Sequence, residues 1–78
     1  MKETTIMLST INDVRDFVDV VREYDMEIDL SSGRYVVDAK SIMGIFSLDL
    51  LKTINLKAYG DDNECEKLFK EIDKFIVK

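Results

Sequence analysis

Apolar and polar positions along the chain follow two periods in turn, and the switches between them mark out the elements. Thr4 to Leu8 is short and β-prone, which predicts a first strand. Ile11, Val14, Phe17, Val18 and Val21 then recur at helical spacing, with Arg15, Asp16, Asp19, Arg22 and Glu23 on the other side. Thr10 and Asp13 resemble a capping box at the start of this helix, which should run to about Tyr24 or Asp25. Met26, Ile28 and Leu30 alternate with Glu27 and Asp29, the pattern of a half-buried strand. Ser31-Ser32-Gly33 is a turn signal, and Arg34 to Val37 resumes as a strand, so a β-hairpin is expected. Asp38-Ala39-Lys40 leads into a short helix beginning at Ser41.

From Thr53 to Tyr59 the alternation returns, with Ile54, Leu56 and Ala58 on one side and Asn55 and Lys57 on the other. Gly60 breaks it. Asp61 with Glu64 has capping-box spacing, and Cys65, Leu68, Phe69, Ile72, Phe75 and Ile76 form the apolar stripe of a last helix. The order is β-α-β-β-α-β-α. It predicts an α+β fold, a four-stranded antiparallel sheet with three helices on one face, because each strand shows a single apolar side. Phe17 and Phe69 both belong to the predicted inner stripes.

Composition narrows the class. The chain has 78 residues, enough for one small domain over 1–78 with a modest core. Its net charge of -5 argues against general nucleic-acid or anionic-membrane binding. The single cysteine, Cys65, permits no internal disulfide, and a cytoplasmic setting is the simplest expectation. No apolar run reaches the length of a membrane span. There is no proline and no histidine.

The most distinctive run is Lys40-Ser41-Ile42-Met43-Gly44-Ile45-Phe46-Ser47-Leu48. It places a hydroxyl at a helix start, followed by the large apolar side chains Ile42, Met43 and Ile45. Read from chemistry alone it is a buried helical turn with Ser41 as its cap. It also resembles the regulatory-serine segment of HPr, the histidine-containing phosphocarrier family of the bacterial sugar phosphotransferase system. Two further stretches are similar to that family, Tyr24-Asp25-Met26-Glu27-Ile28-Asp29-Leu30 and Ala58-Tyr59-Gly60-Asp61. The loop from Leu48 to Thr53 looks shorter than the family's and lacks its glycines. The resemblance implies an open-faced β-sandwich with the element order above. It also implies Ser41 as a regulatory phosphorylation site, and a protein-docking surface that includes Ile42, Met43 and Ile45. The implied partners are phosphotransferase-system enzymes, a serine kinase or a transcription regulator.

The resemblance fails at the carrier site. In the family a histidine, an alanine, an arginine and a proline open the first helix. Here the ungapped count from Tyr24 puts Thr10, Ile11, Asn12 and Asp13 there, and none matches. A phosphoimidazole passes its phosphoryl group on because its P–N bond is labile, whereas a phosphothreonine ester is too stable to shuttle. The clamping arginine is replaced by uncharged Asn12. Asp13 is the one residue there able to form a labile acyl phosphate, although a helix cap is the simpler role for it. Elsewhere the chemistry is thin. Cys65 lies on an apolar face with no histidine to activate it. No acidic cluster has metal-ligand spacing, so no cofactor is expected. The sequence points to a non-enzymatic, protein-binding relative of the phosphocarriers. Two alternatives are a residual phosphoryl carrier using Asp13 and a diverged scaffold unrelated to sugar transport.

Overall fold

The computed structural model describes residues 1–78. The elements are β1 (Lys2–Ile6), α1 (Ile11–Val21), β2 (Glu27–Ser32), β3 (Tyr35–Asp38), α2 (Ile42–Phe46), β4 (Ile54–Tyr59) and α3 (Asp62–Glu71), followed by a 3₁₀ turn at Asp73–Phe75. The four strands form one sheet in the order β1-β4-β2-β3, antiparallel throughout. β4 sits inside it, with Leu56 opposite Thr4 on one side and Leu30 on the other.

The alternation of the strands decides which face is covered. Ile28 and Leu30 of β2 and Ile54, Leu56 and Ala58 of β4 are almost wholly removed from water. Their alternate neighbours Glu27, Asp29, Asn55 and Lys57 occupy the other face, where Lys57 pairs with Glu3 across β1 at 3.5 Å. Only one face is apolar, so the helices share it. Val14, Phe17, Val18 and Val21 of α1 and Cys65 and Leu68 of α3 close over it. Phe17 meets Phe75 edge to face, with ring centroids 6.0 Å apart. The core holds 20 residues and no buried polar or charged side chain.

Several element boundaries depart from the sequence expectation for local reasons. β1 lies two residues nearer the N-terminus than the run Thr4 to Leu8, because its register is set by β4, with Lys2 opposite Ala58 and Ile6 opposite Ile54. α1 stops at Val21 rather than near Tyr24. Ser31 and Ser32 belong to β2, and the two-residue turn is Gly33-Arg34, with Gly33 at φ 60°. A residue with a Cβ pays a steric cost at that φ, and glycine does not. The last stripe is split: α3 ends at Glu71, and Ile76 leaves helical geometry to bridge Ile6. Phe69 is half-buried at the rim of the core, whereas Phe17 is completely buried. Ile11 is 67% exposed because it is the first residue of α1, where nothing lies over the stripe.

Tyr24, just beyond α1, ties that helix to α3. Its hydroxyl donates to Glu71 Oε1. Burial, the hydrogen bond to Glu71 and the charges of Glu71 and Glu23 together push its pKa from 10.0 up to about 12.

Two outcomes follow for stability. Phe17→Ala should cost about 3–5 kcal/mol in urea unfolding, and Phe69→Ala roughly 1–2 kcal/mol, since only the first empties a closed site. The Tyr24 phenol is raised in the folded state, so its stabilisation is complete below pH 10 and is lost as pH rises towards 12. Tyrosinate absorbance should show Tyr24 titrating late, and Glu71→Gln should bring its midpoint down.

Candidate functional site

Two helix starts carry the candidate residues, and each is built from its own local hydrogen bonds. At the start of α1, Thr10 has extended backbone (φ -132°, ψ 164°) and its Oγ1 accepts from the Asp13 N–H at 3.0 Å. The Asp13 carboxylate reaches back in turn, with Oδ2 accepting from the Ser9 N–H at 3.0 Å. This is a capping box extended by one residue. Asp13 therefore supplies the negative charge that a helix N-terminus favours. Asn12 and Ile11 are exposed there, and neither they nor Thr10 receives a hydrogen bond from a cationic side chain. Arg15 points to solvent without an ion pair in the chain, and Asp16 pairs with Lys74 at 3.8 Å.

At the start of α2, Ser41 is exposed, and its Oγ accepts from the Gly44 N–H at 3.1 Å. Gly44 keeps the approach there close. A Cβ on it would lie 3.2 Å from both Ser41 Oγ and Val37 Cβ, so the glycine lets α2 settle against β3. Ser47 closes the other end, its hydroxyl donating to the Gly44 carbonyl. Lys40 anchors the segment to the loop after α1 by donating from Nζ to the Tyr24 carbonyl. Thus the run Lys40-Ser41-Gly44-Ser47 has a structural use at each of these four positions.

The apolar residues of α2 divide by phase, and this corrects the expected docking set. Ile45 is completely buried, and Ile42 is partly buried against the core. Of the three, only Met43, at 76% exposure, faces outward, joined by Phe46 at 40%. Ile42 and Ile45 are three apart, as are Met43 and Phe46, so one pair faces in and the other out. That spacing was available in the sequence, but which pair faces inward was not, because α2 is only five residues long. α1 and α2 are in contact, which puts the two helix starts in one helical layer.

Other chemistry is structural. Cys65 is buried, and its Sγ lies 3.6 Å from the Ala58 carbonyl oxygen. No three His, Cys, Asp or Glu side chains gather as a metal site. The largest cleft, about 450 Å³, lies away from both helix starts, between the Gly33-Arg34 turn and the loop after α2. No helix is long and apolar enough to cross a membrane.

The comparisons agree with this geometry. The family model described as "PTS HPr component phosphorylation site" matches residues 13–77, a span that leaves Thr10, Ile11 and Asn12 outside it. Among solved structures, HPr-C-His from Thermoanaerobacter tengcongensis is 31% identical over 95% of this chain and 89% of its own, with a TM-score of 0.77. The Bacillus subtilis catabolite repression containing protein Crh, described as a swapped dimer, is 25% identical over 96% of this chain and 88% of its own, with a TM-score of 0.62. The phosphocarrier protein HPr from Bacillus anthracis shares the fold at 21% identity and a TM-score of 0.72, covering 97% and 96% of the two chains. A search of curated proteins finds no match. The family match, the 31% identity to an HPr structure and the shared four-stranded open sheet place this chain in the HPr family of the phosphotransferase system.

Proposed function

We propose that this chain is a regulatory, protein-binding member of the HPr family that does not relay phosphoryl groups through histidine. The observation that carries the reading is chemical: the sequence has no histidine, and the start of α1 is closed by Thr10 and Asp13 bonding to their own backbone. A phosphoryl group on Thr10 would meet the Asp13 carboxylate in the same first turn. An acyl phosphate on Asp13 would give up the Ser9 contact, and no cationic side chain is paired with Asp13.

Ser41 differs from Thr10 in one useful respect. The first turn of α2 contains no acidic residue, so a phosphate there meets no carboxylate within its own helix turn. Phosphorylation would exchange the neutral cap for a group with up to two negative charges beside Met43 and Phe46. The docking surface consists of these two residues with Ile11, all exposed. Its partners are phosphotransferase-system enzymes, a serine kinase or a transcription regulator, and the similarity to Crh, a catabolite repression protein, favours the regulatory class. The work is cytoplasmic and involves neither cofactor nor nucleic acid.

Labelling separates this reading from the phosphocarrier alternative. With phosphoenolpyruvate and the general enzyme of the system, the chain should acquire no labile phosphoryl group. Stoichiometric label that vanishes in Asp13→Asn would establish the acyl-phosphate carrier instead. With an HPr-type serine kinase, wild type should be labelled and Ser41→Ala should not. Ser41→Ala should itself lower stability by only about 1 kcal/mol, the loss of a cap. An unlabelled wild type would leave Ser41 as a cap alone.

A further inference from the structure

The two edges of the sheet are not alike. Beside β1 runs the C-terminal segment: Ile76 bridges Ile6, the Val77 N–H donates to the Thr5 carbonyl at 2.8 Å, and the Met7 N–H to the Phe75 carbonyl at 2.8 Å. β3 has no such cover. It pairs only with β2, through Ser32 opposite Tyr35, Ser31 opposite Val36, Leu30 opposite Val37 and Asp29 opposite Asp38. The Ala39 N–H donates to the Ile28 carbonyl, so Ala39, and with it Val37 and Tyr35, turn their backbone groups towards β2. Val36 and Asp38 therefore turn theirs away from the sheet. Tyr35 and Val36 are also 68% and 65% exposed, and the strand has neither proline nor lysine to blunt it.

We infer that this open edge pairs with the same edge of a second copy, antiparallel about a twofold axis at Val36. The charge pattern selects that occupant and that register. With Val36 opposite Val36 of the other copy, Tyr35 lies opposite Val37, and Arg34 opposite Asp38, twice by symmetry. Arg34 has no ion pair within its own chain. Asp38 uses only Oδ1, to accept the Lys40 N–H at 2.8 Å, which leaves Oδ2 for the guanidinium. Shifting the twofold axis to Val37 would instead set Arg34 opposite Lys40. The exchanged N–H and C=O groups of Val36 form the central pair of bonds. An edge of four residues buries much less than the total of about 1,000 Å² typical of stable interfaces, so the dimer is weak and forms at high protein concentration.

Sedimentation equilibrium of the full chain over a wide concentration range tests this, with hydrogen exchange at the Val36 amide as the local readout. Wild type should associate reversibly, with Val36 protection rising as it does. Val36→Lys sets two ammonium groups face to face and should abolish association. Arg34→Asp and Asp38→Arg each oppose like charges, and each should weaken it at least about tenfold. An equimolar mixture of those two variants restores both opposite-charge pairs and should associate about as well as wild type. Circular dichroism confirms that each variant is folded, and should Asp38→Arg fail to fold, the Val36→Lys and Arg34→Asp results decide alone. A wild type that stays monomeric overturns the proposal. So does association that survives Val36→Lys, which would place the contact on another surface, or a mixture of folded variants that fails to recover.

Discussion

Everything in this molecule rests on the burial of one side of β4. That strand is hydrogen-bonded on both flanks and carries Ile54, Leu56 and Ala58 towards the helices, each fully shielded from water. With its other side polar, the sheet offers the helices a single floor, and α1 and α3 must share it. Removing aliphatic area of that kind from water is worth roughly 1.5–3 kcal/mol for each large side chain, which outweighs any surface ion pair present. The helices are held where they are because there is no second apolar face to occupy.

A core without polar side chains pushes all chemistry to the rim. The groups able to act are those at helix starts, turns and the open edge. At the rim, small differences in local charge decide what a site tolerates. The first turn of α1 already contains a carboxylate, which accepts the Ser9 N–H, and the first turn of α2 contains none. Two serine- or threonine-capped helices of one fold therefore differ in their welcome for a phosphate. The family relationship fixes the scaffold, and this contrast sets the chain's own bias within it.

Much of the scaffold was legible because its periods are clean. Met26 to Leu30 and Thr53 to Tyr59 alternate without interruption, and Val14 to Val21 holds one helical stripe, so element type and facing came directly from spacing. The ends of elements were less legible because tertiary partners set them. β1 slid because β4 dictates its register, and the final stripe broke at Ile72 because Ile76 gains a strand partner in Ile6. In the candidate site, the caps at Thr10 and Ser41 could be read from residue type. The burial of Ile45 could not be judged from apolar character, which it shares with exposed Met43. It needed the phase of a helix only five residues long, anchored by Gly44 against Val37.

The seam between the chain's two ends has a bearing on the order of events during synthesis. β1 has no neighbour in sequence to pair with: Ile6 meets Ile54 within the sheet and Ile76 outside it. The β2–β3 hairpin is joined by a two-residue turn, so its strands can meet as soon as both have been made. β1, however, must wait unpaired until β4 and the segment around Ile76 have been made. Such distant pairings slow folding and leave a strand open to wrong partners in the meantime. Without the Ile76 segment, the outer edge of β1 would lie as open to a passing strand as that of β3.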